Sequence, residues 1–222
     1  MISSLAGATD QPLKPPGLVR VGGFGGASGL AAYLRAERID FLIDATHPFA
    51  AAMQVSAAEA AAEAGVRRCR LLRPPWPRRR ADKWTEVESA EAAARALAPI
   101  CGVNGRVFLA LGARGIAPFL PLVTHRFVLR GVSPPQAALP GNWEFIPARG
   151  PFSLAGELEL FRQRRIDAVV ARQSGGGGGY AKIEAAAALG LPVLMIRRPK
   201  PPPPPVLADL AQALDWLALG MK

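Results

Sequence analysis

Ile39-Asp-Phe-Leu-Ile-Asp44-Ala-Thr-His-Pro48-Phe-Ala-Ala-Ala52 reads as a strand that ends in a polar turn and drives straight into a helix. Ile39, Phe41, Leu42 and Ile43 form an apolar run of strand length. Asp44, Thr46 and His47 stand at its carboxyl end. Pro48 suits the first position of a helix, where a missing N–H costs nothing. In open parallel sheets, ligands bind outside the carboxyl ends of the strands. Helix N-termini at that edge offer free N–H groups and partial positive charge to phosphates.

The pattern returns at Ile166-Asp-Ala-Val-Val-Ala-Arg-Gln-Ser174, followed by five glycines, Gly175 to Gly179, and a helix. Each copy continues with an alanine-rich helix, a glycine, an apolar strand and an Arg-Pro. Pro74 lies 35 positions after Ile39, and Pro199 lies 33 after Ile166. A match of order and spacing at that length predicts two similar halves. The alternative is two generic strand–helix–strand units.

Outward from these copies, a strand over 19–21 runs into Gly22-Gly23-Phe24-Gly25-Gly26 and a helix over 28–36. Glycines there let backbone N–H groups approach a phosphate, although a plain turn has the same composition. The helix from Pro48 ends at Gly65, a normal residue just past a C-terminus. Strands follow over 66–72 and 83–87, and Ser89 can cap a helix to Leu97. The chain starts again around Gly102 to Gly105, which places the domains at 1–101 and 102–222. The second half has strands over 107–111, 125–130 and 143–146, with a short helix over 113–120. Arg149-Gly-Pro-Phe-Ser153 opens a helix to about Arg164. Pro201 to Pro205 is a stiff polyproline spacer. A closing helix over 207–219 carries Leu207, Leu210, Leu214 and Leu217 on one face. The strand over 107–111 has no counterpart in the first half. That implies a further strand, glycine turn and helix ahead of Met1, on the order of 25 residues; a naturally shortened first half is the alternative.

With 222 residues and 50% hydrophobic content, the chain can bury one large core or two small ones. It has no apolar run of membrane-spanning length and no signal-peptide pattern. Cys69 and Cys101 are too few for a disulfide scaffold and lack metal spacing, so no metal is expected and a reducing cytoplasm is the default. The net charge of +10 rests on arginine clusters at Arg78 to Arg80 and Arg162 to Arg165. A nucleic-acid surface, an anionic small molecule and plain solvated charge all fit such a balance. Sparse aromatics and the lack of a nucleic-acid motif weigh against the first.

Ser4-Leu-Ala-Gly7, Val21-Gly-Gly-Phe-Gly25, Asp44-Ala-Thr-His-Pro-Phe-Ala50, Arg149-Gly-Pro-Phe152, Ser174-Gly-Gly176 with Lys182, and Arg198-Pro199 occur in that order. The set resembles the precorrin-6A reductases of cobalamin biosynthesis, over essentially the whole chain. Asp-Ala-Thr-His-Pro-Phe-Ala is its most specific piece. The resemblance implies an α/β fold of two Rossmann-like parallel-sheet domains flanking a cleft, the first incomplete at its N-terminus. It implies NADPH as cofactor and reduction of one carbon–carbon double bond of precorrin-6A, giving precorrin-6B. Three departures stand out. The family's opening strand with its Gly-Gly-Thr turn is absent, which puts NADPH binding by these 222 residues in question. Ala8 stands where an Arg or Lys is common. Arg172-Gln173 replaces Lys-Asn.

On that resemblance Ser4, Gly7, Gly22, Gly23, Phe24, Gly25, Thr46, His47 and Pro48 face the cofactor. The substrate is a polyanionic tetrapyrrole, and its carboxylates suit Arg114, Arg130, Arg149, Gly150, Arg172, Ser174, Gly175, Gly176 and Lys182. Plain surface charge is the competing reading for Arg114 and Arg130. Hydride transfer is the cofactor's own chemistry, so no catalytic nucleophile is needed and none is evident. His47 is a candidate acid; the favoured alternative is a turn histidine that hydrogen-bonds backbone. Two other function classes stay open: a nucleotide-sugar or phosphosugar transferase, and a non-catalytic module for anionic ligands. A monomer or weak homo-oligomer is expected.

Overall fold

The computed structural model describes residues 1–7, 15–200 and 203–220. Ala8, which stands where an Arg or Lys is common, lies outside the described residues, as does the Arg114 side chain. The chain divides into two compact units, one formed by Met1–Pro74 with Pro199–Lys222, the other by Pro75–Arg198.

The first unit holds β1 (Ile2–Leu5), β2 (Leu18–Val21), α1 (Ala27–Ala36), β3 (Phe41–Asp44), α2 (Ala51–Ala64) and β4 (Arg67–Leu71). The chain then leaves for the second unit. There it forms β5 (Trp84–Val87), α3 (Ala90–Cys101), β6 (Arg106–Ala110), β7 (Arg126–Gly131) and β8 (Trp143–Pro147). It continues with α4 (Leu154–Gln163), β9 (Ala168–Arg172), α5 (Ala181–Ala188) and β10 (Val193–Ile196). It returns to the first unit for β11 (Val206–Leu207) and α6 (Leu210–Gly220).

Among the described residues every strand pairing is parallel. The second unit carries one six-stranded sheet in the order β5-β10-β9-β6-β7-β8. The first carries two smaller sheets, β1-β2 and β11-β4-β3. Set side by side, β7 and β8 correspond to β1 and β2, while β9, β10 and β5 correspond to β3, β4 and β11. The central β6 has no counterpart among the described residues of the first unit, and the sheet is divided at that place. The consequence shows in solvent exposure. β9 is buried from Ala168 to Ala171, whereas Ile43 in β3 is 36% exposed and Val21 in β2 57%.

Each half of the sequence gives one strand to the other half's sheet, so the compact units do not divide at residue 101 as expected. β5 pairs with β10, Trp84 opposite Val193. α3 follows it and buries Ala93, Ala94 and Leu97. β11 in turn pairs with β4, Val206 opposite Arg70. A ladder of backbone hydrogen bonds outweighs nearness in sequence, so the crossings fall at Pro74–Pro75 and Arg198–Pro199. Gly102 to Gly105 is merely the turn into β6, tight because Gly105 packs on Cys101.

Two further expectations are corrected. α2 begins at Ala51 rather than Pro48, because the His47 carbonyl accepts the Ala50 N–H and closes a separate turn first. In α6 the apolar face over Leu210 and Leu214 is exposed, at 66% and 56%. The face that packs is Ala213 with Trp216, whose ring meets Phe41 edge-on. Of the expected polyproline spacer, Pro201 and Pro202 lie outside the described residues; Arg68 donates to the Pro203 carbonyl at 2.7 Å, and the Arg70 N–H to that of Pro205 at 2.9 Å.

The first unit's core joins α1 to α2 through Leu30, Ala31 and Leu34 against Ala57 and Ala60. Burying each leucine contributes about 2 kcal/mol. The second unit's core runs from Phe108 through Val169, Ile183 and Met195 to Trp84.

Candidate functional site

At the carboxyl end of β3 the side chain of Asp44 turns inward. Its Oδ1 accepts the Thr46 N–H at 3.0 Å and the Thr46 hydroxyl at 2.8 Å. Arg70, on the neighbouring β4 and wholly buried, forms an ion pair with Asp44 at 2.6 Å. Desolvation lowers the Arg70 pKa, and Asp44 opposes that by attraction and hydrogen bonding. The guanidinium therefore stays cationic. His47 Nδ1 accepts the Phe49 N–H at 3.2 Å, and Gln54 Nε2 donates to the Pro48 carbonyl at 2.9 Å. Thr46 and Pro48 line a cavity of about 330 Å³ with Ala45, Leu71, Arg73 and Leu210.

The glycine turn after β2 is braced from below. Arg20 donates to the carbonyls of Gly22 and Gly23, each at 2.6 Å, and its guanidinium lies 3.9 Å from the Phe24 ring centroid. Gly22 and Gly25 both have positive φ, 120° and 79°, which favours glycine. Nothing crowds the place where a Cβ would stand at Gly22, Gly23 or Gly25. A Cβ at Gly29, in contrast, would lie 1.8 Å from the Phe24 carbonyl oxygen. α1 begins with no side-chain cap on its first N–H groups. Ser4 and Gly7 lie at the end of the neighbouring β1, where Leu5 O accepts the Gly22 N–H.

In the second unit the carboxyl ends of β9, β7 and β8 gather the other group. Ser174 N–H folds back onto the Arg172 carbonyl, and Gly175 and Gly176 follow with φ near 67° and 68°. Trp76 is clamped to this turn. Its N–H donates to Gln173 Oε1 at 2.9 Å and its indole N–H to the Gly176 carbonyl at 2.6 Å. Arg198 Nε donates to the Gln173 carbonyl at 2.8 Å. Lys182 donates to the Gly179 carbonyl, and its ammonium lies 5.1 Å from the Trp76 ring centroid. Burial pulls the Lys182 pKa down from 10.5 to about 8, with Arg130 adding to the fall and Glu157 opposing it.

Arg130 lies on β7 with both terminal nitrogens on Glu157, at 3.0 and 2.6 Å. Its guanidinium carbon is 3.5 Å from the Phe152 ring centroid. It thus holds the turn that carries Arg149 and Gly150, and Gly150 faces the Gly178 carbonyl. Arg172 lies against Gly115, in the short turn Ala113–Gly115 that carries Arg114. Burial lowers the Arg172 pKa.

The family model described as Precorrin-6x reductase CbiJ/CobK matches residues 1–218. The chain belongs to the precorrin-6x reductase family. The precorrin-6A reductase of Rhodobacter capsulatus is 43% identical over 218 residues, covering 98% of this chain and 86% of that protein. The Rhodococcus erythropolis precorrin-6A reductase is 45% identical over 193 residues, covering 87% and 77%. A solved structure titled CobK precorrin-6A reductase superposes with a TM-score of 0.93 at 42% identity, covering 99% of this chain and 86% of that one. This reductase is accordingly an oxidoreductase of cobalamin biosynthesis with a parallel α/β fold. A reductase of this kind uses a nicotinamide cofactor. No helix among the described residues is long and apolar enough to cross a membrane.

The structure thus brings the expected residues into two groups, one per unit: Ser4, Gly7 and Gly22–Gly25 with Thr46–Pro48, and Arg130, Arg149–Gly150, Arg172–Gly176 and Lys182. Sequence reasoning missed Arg20, Arg70, Trp76 and Glu157 as the reductase's supports. One had a visible signal: Trp76 is a lone aromatic inside Pro-Pro-Trp-Pro.

Proposed function

We propose that this chain uses NADPH to reduce one carbon–carbon double bond of the precorrin-6A macrocycle, giving precorrin-6B. The cavity beside Thr46 and Pro48 supports the assignment most directly. It opens at the carboxyl edge of a parallel sheet, where Rossmann-type folds take their ligands. It suits one flat ring of a dinucleotide, since Pro48, Leu71 and Leu210 offer apolar walls. The uncrowded glycine turn at Gly22–Gly25 and the uncapped start of α1 suit phosphates. Bound there, the reduced nicotinamide supplies the hydride.

This chain's residues bind and orient. Thr46 lines the cavity and its hydroxyl is held by Asp44 and Arg70, so this wall needs no reorganisation at the moment of reaction. His47 closes the turn by accepting a backbone N–H, a role that holds Pro48 against the cavity. In the second unit, Lys182, Arg149 and Arg172 present cationic donors around a glycine turn, which suits the many rim carboxylates of precorrin-6A. Arg130 is engaged with Glu157 and supports the Arg149–Phe152 turn.

The test is anaerobic incubation with precorrin-6A and NADPH or NADH. The expected result is loss of one reduced nicotinamide per macrocycle, with NADPH preferred. Binding of the macrocycle with no oxidation of either cofactor would instead indicate a binding module. Nucleotide-sugar binding at Gly175–Gly179 would indicate a transferase.

A further inference from the structure

We infer that Arg70 is a positioning residue for the cofactor, acting through Thr46 rather than serving as a brace of the core. This rests on the reading that the Asp44–Pro48 turn receives the cofactor. Arg70 is the bulkiest of the wholly buried side chains among the described residues, whereas Arg67 and Arg68 of the same strand are exposed and half-buried. A buried arginine is an expensive way to fill space, since apolar residues of similar volume usually stabilise as well or better. Its hydrogen bonds show where it acts. Nη1 donates to the Asp44 carbonyl at 2.9 Å, to Asp44 Oδ1 at 2.6 Å and to Thr46 Oγ1 at 3.0 Å. Nη2 donates to the Thr46 carbonyl at 2.6 Å.

All four acceptors belong to two residues of one turn. None reaches another helix or the far side of the sheet. The strands themselves do not need this help, because Asp44 and Arg70 are already paired in the β3–β4 register. The guanidinium extends that register past the end of the ladder, onto residues that no strand partner holds. The chain on its other side matters equally: Leu71, Leu72 and Arg73, directly after Arg70, form the opposite wall of the same cavity as Thr46 and Pro48. Arg70 therefore sets the spacing between the two walls. A planar fork with fixed donor directions suits this task, and a lysine ammonium cannot reproduce it.

Three variants of the full chain test the assignment, each measured for Michaelis constant and turnover with NADPH, with the urea midpoint alongside. Thr46→Val removes the hydroxyl through which Asp44 and Arg70 hold this wall of the cavity. Arg70→Lys keeps the charge and loses the fork. The double variant Arg70→Met with Asp44→Asn removes both buried charges together, so neither is left unpaired. We expect Arg70→Lys and the double variant to raise the NADPH constant about tenfold, with turnover and the macrocycle constant within about twofold. The double variant should do so with its urea midpoint at or above that of the parent. Thr46→Val should raise the same constant about threefold. If Thr46→Val leaves NADPH binding unchanged, the placing of the cofactor at this turn fails. If Thr46→Val weakens NADPH binding while both arginine variants leave it intact, Arg70 is not a positioning residue. If neither arginine variant folds, Arg70 is a core brace and the inference is overturned.

Discussion

Replacing Lys182 with methionine should make the protein more stable at neutral pH and worse at its task. The ammonium sits beside Trp76, and burial holds its pKa at about 8 against 10.5 for a free lysine. A shift of that size corresponds to about 3 kcal/mol of folding free energy forgone at pH 7. The side chain keeps some solvent contact, and methionine loses the hydrogen bond to the Gly179 carbonyl, worth about 1 kcal/mol. The net gain for Lys182→Met is then about 2 kcal/mol at pH 7. The sign with pH follows from proton counting. Between pH 8 and 10.5 the unfolded lysine keeps its proton and the folded one has lost it, so parent stability rises with pH across that window. The variant has no such group. Its advantage should shrink by about 1 kcal/mol between pH 7 and pH 9, and give way to an advantage of about 1 kcal/mol for the parent above the unfolded pKa. Urea titrations of both proteins at the two pH values, with equal slopes, measure this. The same variant should bind the macrocycle roughly tenfold or more weakly, because a charge-assisted contact is lost. A variant less stable than the parent at pH 7, or an offset identical at both pH values, would refute the burial argument.

Other outcomes follow from the same geometry. His47→Ala should mainly raise the Michaelis constant for NADPH, with turnover falling about tenfold or less, since the ring accepts the Phe49 N–H and shapes a turn. A turnover loss beyond about a thousandfold with unchanged NADPH affinity and a vanished acid limb in the pH profile would make His47 the proton donor. Native-state hydrogen exchange should separate the two units: amides of β9, flanked by β6 and β10, should be protected well beyond those of β3, which pairs with β4 alone among the described strands. Equal protection in the two strands would show that the first unit's divided sheet costs it no local stability.

Much of this molecule was legible before any coordinates. Strands were legible from short apolar runs such as Phe41–Ile43 and Ala168–Ala171, bounded by turn residues. The two-fold repeat showed in the spacing of Ile-Asp to Arg-Pro, and the strand orders of the two units match in the same places. The Asp-Ala-Thr-His-Pro-Phe-Ala turn marked the carboxyl end of β3, since polar residues there stand out against the apolar run before them. The break between β1–β2 and β3–β4 was also foreshadowed, by a repeat unit with no partner strand for 107–111.

What tertiary structure alone decided were relations between residues far apart in the chain. Nothing local in Trp84–Val87 says that its backbone pairs with Val193–Ile196 rather than with the strands before it, because a parallel ladder is specified by partners and not by side-chain pattern. The charge on Arg70 reads from sequence as one more surface arginine of a +10 chain. Only the β3–β4 register places it under Asp44 and Thr46, where the cost of burying it is offset by four acceptors. Likewise only the fold shows that the Arg130 fork lies on Glu157, in α4. Desolvation and pairing depend on what surrounds a side chain in space, and that is the part of a site that one-dimensional spacing does not carry.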